Sequence, residues 1–151
     1  MPSCLRGSAA VFALLCILAP AANAGPASDA VARFYANPGA EARPEMRRYF
    51  TDPARSVLAL NDEAVKAGNK AGCIGHGLAV EDGRFDRGEL SRTLELRENV
   101  QGSGAIVMAY YRVGGKKQAV EWTLEREGRS WLVADVMSLY GGWRLSDISC
   151  D

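Results

Sequence analysis

The sequence contains a single histidine, His76, and no G-x-S-x-G run. A Ser-His-Asp or Cys-His site would have to be built on that one imidazole. Charge of one sign is missing too, since Lys plus Arg and Asp plus Glu each number 18. Nucleic-acid binders normally carry a basic surplus, so no nucleic-acid partner is expected. No internal repeat or low-complexity tract occurs. Beyond residue 24 no apolar run is long enough to span a bilayer, because the longest are of strand length and contain Arg, Asp or Glu.

The first 24 residues read as a cleaved secretory signal peptide. Arg6 supplies the positive start, Val11 to Leu18 the short apolar core, and Ala22-Asn23-Ala24 an A-x-A cleavage site. Cys16 raises the lipoprotein alternative, but Leu15 stands where a lipobox needs a small residue, so no membrane anchor is expected. Residues 25–151 then form a single domain, large enough to bury a core without a metal. The expected location is periplasmic or secreted.

Of four cysteines, Cys4 and Cys16 leave with the signal, and Cys73 and Cys150 remain in an oxidising compartment. An even count there predicts one disulfide joining Cys73 to Cys150. The rival is a thiol site on Cys73-Ile74-Gly75-His76. A C-x-x-H pair offers only two metal ligands, so no metal site is expected. No cofactor motif occurs: Gly102-Ser103-Gly104 and Gly114-Gly115-Lys116-Lys117 do not lead from a strand into a helix.

Along the chain, Ser28 is a candidate N-cap for a helix carrying Val31, Phe34 and Tyr35, stopped by Asn37-Pro38-Gly39. Pro44 opens a second turn with Met46, Tyr49 and Phe50. Asp52 as N-cap and Pro53 at N1 start a longer helix that Gly68 ends. The segment from Gly68 to Gly88 holds six glycines and is either a functional loop or a disguised strand. The period then changes to two. Strands are predicted at Ser91–Val100, Ala105–Val113, Gln118–Arg126 and Ser130–Leu139, joined by turns at residues 101–104, at Gly114-Gly115 and at Glu127-Gly128.

That register pairs Tyr111 with Gln118, Val107 with Trp122, Trp122 with Val133 and Val120 with Asp135. If the first turn has four residues, Leu96 meets Ala109 and Leu94 meets Tyr111. One apolar face results, with Leu94, Leu96, Val107, Ala109, Tyr111, Val120, Trp122, Leu124, Trp131, Val133 and Met137 against the helices. Ile106, Met108, Leu132 and Val136 give the opposite face a second greasy patch, suited to a homodimer through the sheet. Asp135 breaks the apolar face. It defines a candidate pocket of Tyr111, Gln118, Trp122 and Asp135, in which a desolvated carboxylate acts as base or binds a polar ligand. The competing reading has Asp135 as a structural acceptor for a helix N-terminus or Arg144.

The fold class is therefore α+β, with N-terminal helices packed on a four-stranded antiparallel sheet. This order resembles the nuclear-transport-factor-2-like cone fold, whose W-x-V-x-D-I ending is similar to Trp131-Leu132-Val133-Ala134-Asp135-Val136, and the resemblance implies a curved sheet with the helices on its concave face. Phe34-Tyr35, Tyr49-Phe50-Thr51-Asp52-Pro53 and Gly142-Trp143-Arg144-Leu145 resemble exported bacterial proteins grouped as domain of unknown function 3828. The resemblance implies no single reaction, because that fold hosts enzymes and binding modules alike. The expected function is non-enzymatic binding of a protein partner or a small apolar ligand, including an inhibitor or immunity role. The alternative is an isomerase-like or dehydratase-like enzyme using Asp135 and Tyr111. An enzyme needs a cavity reaching Asp135, whereas a binding module can fill that space with side chains.

Overall fold

The computed structural model describes residues 25–150, so the expected signal peptide and its expected cleavage site lie outside the described residues. Helix α1 (Pro26–Ala36) is followed by two 3₁₀ segments (Ala40–Ala42 and Pro44–Tyr49), then by α2 (Ala54–Lys66) and α3 (Arg87–Thr93). Five strands follow: β1 (Glu95–Gln101), β2 (Gly104–Val113), β3 (Lys116–Glu127), β4 (Ser130–Ser138) and β5 (Trp143–Arg144). They form one antiparallel sheet in sequential order, which is curved and open. The α+β class and the helix-on-sheet arrangement match the expectation. The four-stranded count does not, because a two-residue strand carries no alternation by which Trp143-Arg144 could be seen to pair with Met137 and Ser138.

Local differences have local causes. Ser28 does not cap α1; it lies buried in the first turn, and its amide donates to the Glu98 carboxylate on β1 at 2.7 Å. A partner 70 residues away supplies the cap. Asp52 does not cap α2 either, since its carboxylate accepts from Ser56 Oγ and the helix begins at Ala54. Residues 87–93, of which only 91–93 are expected in the first strand, are helical because Asp86 accepts from the Glu89 amide at 2.6 Å, an N-cap in standard geometry.

In the sheet, Leu96 faces Ala109, Tyr111 faces Gln118, and Val107 faces Trp122, as the turn spacing dictates. Gly114 and Gly115 both take positive φ, 57° and 76°, which a tight two-residue hairpin turn requires. Leu94 ends α3 and does not join the ladder opposite Tyr111.

The last hairpin departs from the predicted pairing. Its two-residue turn is Gly128-Arg129, since Glu127 pairs with Ser130, so Trp131 faces Arg126 and Val133 faces Leu124. The register then shifts again: Thr123 faces Asp135 and Trp122 faces Val136, leaving Ala134 as the extra residue of a bulge. A one-residue slip in a strand exchanges the faces. Val136, expected outside, is fully buried in the core, while Asp135 and Met137 leave the apolar face. The sheet's outer face is correspondingly less greasy, since Val136 and Leu132 are both buried and Ile106 alone of the expected patch remains well exposed, at 42%.

Strand β4 is covered along its outer edge at two places. Phe50 forms a parallel bridge to Val133, and the Thr51 amide donates to the Val133 carbonyl at 2.8 Å. At the other end β5 pairs with Met137 and Ser138. Asp135 sits between these two attachments.

The helices meet the sheet over an aromatic cluster. Trp122 and Phe34 are both fully buried and stack with ring centres 5.0 Å apart and planes 12° apart. Phe50 tilts against Phe34 at 5.3 Å, and Tyr35 lies edge-on to Trp122 at 6.0 Å. Each such pair adds about 0.5–1.5 kcal/mol to the burial of its area. The covalent closure is the disulfide between Cys73 and Cys150, with Cα atoms 5.2 Å apart and a sequence separation of 77. It answers the thiol reading of Cys73, whose sulfur is not free.

Candidate functional site

Of the four residues proposed as a pocket, the structure separates Asp135 from the rest. The Asp135 carboxylate accepts from the Ser146 amide (3.1 Å), the Ser146 hydroxyl (2.7 Å) and Arg144 Nη1 (3.1 Å). It also accepts from the Val136 amide at 2.9 Å. These bonds anchor the C-terminal segment to β4. The Asp135 carboxylate in turn is the leading cause that raises the Arg144 guanidinium above its ordinary pKa. The structural reading of Asp135 therefore describes this geometry, and it does not face Val120 as the sequence register had it.

Trp122 belongs to the core. Its indole Nε1 donates to the Tyr35 hydroxyl at 3.1 Å, and Tyr35 packs tilted on Tyr111 with ring centres 5.5 Å apart. Tyr111 donates to the Ala79 carbonyl at 2.8 Å. Burial, first of all, pushes both phenols well above the ordinary tyrosine pKa, assisted at Tyr35 by Tyr111 and at Tyr111 by Glu81. The space between helices and sheet is filled by these rings.

A carboxylate does enter this interior, from a residue that periodicity could not single out. Glu41, in the 3₁₀ segment after α1, is 3% exposed, and its Oε1 accepts from the Leu78 amide (2.9 Å) and the Ala79 amide (3.3 Å). Glu41 thus fastens the glycine-rich loop to the helical layer, close to the carbonyl that Tyr111 uses. Asn61 of α2 repeats the device, its Oδ1 accepting from the amides of Cys73 (2.9 Å) and Ile74 (3.1 Å). The segment 68–86 carries no strand, so these two side chains and the disulfide replace a ladder. His76 packs on Trp143 with ring centres 4.3 Å apart, a packing contact beside the disulfide.

Tyr111 and Gln118 do come together, at the wall of a cleft of about 880 Å³. The loop contributes Val80, Glu81, Asp82 and Phe85, α3 contributes Glu89, and the β2–β3 hairpin contributes Gly114 and Lys116. Glu89 fixes the hairpin tip, accepting from the amides of Gly114 and Gly115 at 2.7 Å each. The cleft is wide, acid-rimmed and lined by loop and turn, which suits a projecting protein segment. A second concavity, of about 400 Å³, lies between α1, the second 3₁₀ segment and the β3–β4 hairpin. There Arg33 stands 4.1 Å and Arg48 4.8 Å from the Tyr49 ring centre, and Arg48 donates to the Tyr49 hydroxyl at 2.8 Å. That hydrogen bond is the main cause that lowers the Tyr49 phenol below its ordinary pKa.

Among the described residues, no group of three or more His, Cys, Asp and Glu is placed to hold a metal. No helix among them is long and apolar enough to cross a membrane.

No family model matches this chain, and no curated protein matches it. Two solved structures are similar to it in fold. They are the selenomethionine and native crystal structures of the type VI effector–immunity complex Tae3–Tai3 from Ralstonia pickettii. The first matches with a TM-score of 0.53 and 15% identity over 76% of this chain and 97% of its own. The second gives 0.52 and 17%, over 76% of this chain and 94% of its own. At such identity the likeness is one of fold.

Proposed function

We propose that this chain is an exported immunity-type protein that binds a protein effector and neutralises it. One observation carries the reading: the fold similarity extends over nearly the whole length of chains taken from an effector–immunity complex. Three features support it. A disulfide closing 77 residues suits an oxidising compartment, consistent with the export signal and a periplasmic location. The helix–sheet interior is packed with aromatic rings, and Asp135 is committed to Ser146 and Arg144, which favours binding over proton transfer. The cleft of about 880 Å³ is an open, loop-lined surface feature. The helices-first order and the curved sheet also support kinship with the cone-fold superfamily and with the family of domain of unknown function 3828, and we carry both as part of this proposal.

The test is to express residues 25–151 with each toxic secreted enzyme of the source cell in turn and to measure survival and complex formation. One effector should be lethal when sent to the periplasm alone. It should be harmless with the domain, and the two should form a stoichiometric complex by native mass spectrometry. A domain that rescues no effector and forms no complex would remove the reading.

A further inference from the structure

The concavity between α1, the second 3₁₀ segment and the β3–β4 hairpin gathers arginines from three separate elements. Arg33 comes from α1, Arg48 from the 3₁₀ segment and Arg129 from the hairpin, while Arg126 stands beside the groove over Trp131. Tyr49 carries guanidinium groups 4.1 and 4.8 Å from its ring centre, and Arg126 lies 5.6 Å from the ring centre of Trp131. In a chain whose formal charge is zero, such a concentration is local.

The cations are also unspent. The ion pairs among the described residues use Arg43, Arg47, Lys66, Arg97 and Arg144, and neither the three groove arginines nor Arg126 is among them. Arg33 Nε donates to the Ala30 carbonyl at 2.8 Å, which positions the side chain without neutralising it. The nearby acids are Asp29, which lines the groove, and Glu127, which accepts from Thr51 Oγ1 at 3.0 Å. Like charges held together repel one another, and a bound anion relieves that repulsion.

Arginine, tyrosine and tryptophan are also the residues that dominate binding energy at protein interfaces. Guanidinium groups resting on rings are partly ordered before binding, so less freedom is lost when their forks grip a carboxylate. We infer that this groove is a docking surface for an acidic segment of a protein partner, with Arg33 and Arg48 as its carboxylate grips and Trp131 as its apolar wall. That the occupant is a protein rests on the functional reading above.

Fluorescence anisotropy of labelled heptaglutamate, titrated with residues 25–151, tests the groove without needing the effector. Heptalysine, inorganic phosphate and vesicles of phosphatidylglycerol serve as comparison ligands. The expected result is saturable, salt-sensitive binding of heptaglutamate that heptalysine does not reproduce through Arg33 and Arg48. Arg33→Ala with Arg48→Ala should weaken it about tenfold or more, and Arg126→Ala with Arg129→Ala should weaken it by a smaller factor. The second pair lies on an exposed hairpin and guards against misfolding of the first, with circular dichroism checking both. Equal binding by wild type and both variants would overturn the inference. So would phosphate displacing the peptide at equal concentration, or vesicles binding where the peptide does not. An effector neutralised equally well by the Arg33→Ala, Arg48→Ala protein would overturn the groove and leave the functional reading standing. Binding of heptaglutamate through these arginines without rescue from any effector would do the reverse.

Discussion

The Ser146 hydroxyl lies 2.7 Å from the Asp135 carboxylate, and the Ser146 amide and Arg144 converge on the same group. One side chain on β4 thereby holds the segment that runs to Cys150 and its disulfide.

Replacing Asp135 with Ala should therefore cost about 2–4 kcal/mol, because it strands the Ser146 donors and the Arg144 guanidinium in a half-buried setting. Urea unfolding measures the loss, and effector binding at saturating stability should be retained. Loss of binding by a fully folded Asp135→Ala protein would restore Asp135 to a functional role.

Removing the disulfide by Cys73→Ser with Cys150→Ser should lower stability by about 4 kcal/mol or less, the chain-entropy value for a loop of 77 residues. Denaturant midpoints of oxidised, reduced and doubly substituted protein should rank the first above the other two. Intact mass without reductant should lack two hydrogens relative to the reduced chain.

Glu41→Ala should free the glycine-rich loop. The Leu78 and Ala79 amides lose their shared acceptor, for a cost of about 2–3 kcal/mol. Amide hydrogen exchange at those two positions should accelerate more than exchange in β2 and β3. Uniform acceleration across the sheet would mean that Glu41 supports the whole fold and not the loop.

Alkaline pH should destabilise the protein through Tyr35 and Tyr111. Burial raises both phenols above the ordinary value of 10.0, so they stay neutral in the folded chain while the unfolded chain ionises. Their contribution is complete below that ordinary value and is lost as pH rises from it toward the folded values. Urea midpoints should fall above about pH 10, and Tyr111→Phe should flatten the fall. Ultraviolet titration should show Tyr49 ionising before Tyr35 and Tyr111, since Arg48 and Arg33 favour its anion.

Much of the sheet was legible because hairpin spacing is a local code. Gly114-Gly115 fixed the pairing of Tyr111 with Gln118, and the alternation of Val107, Ala109 and Tyr111 marked the buried face. The strand that carries Asp135 was not legible to the same degree. Every residue from Trp131 to Val136 is buried, so no alternation showed where Ala134 bulges out of the ladder. The arginine groove had no sequence signal at all, since Arg33, Arg48 and Arg129 belong to elements far apart in the chain.

By itself the sequence determined the class of the fold, the pairing of Cys73 with Cys150 and the helices-first, sheet-last order, because periodicity, turn chemistry and a two-cysteine count act locally or by elimination. Tertiary structure alone decided which carboxylates reach across the layers and what they hold. Glu98 reaches the α1 amide and Glu41 the Leu78 amide only once layers distant in sequence are stacked. A bulge of one residue then turns Asp135 from the core toward Ser146.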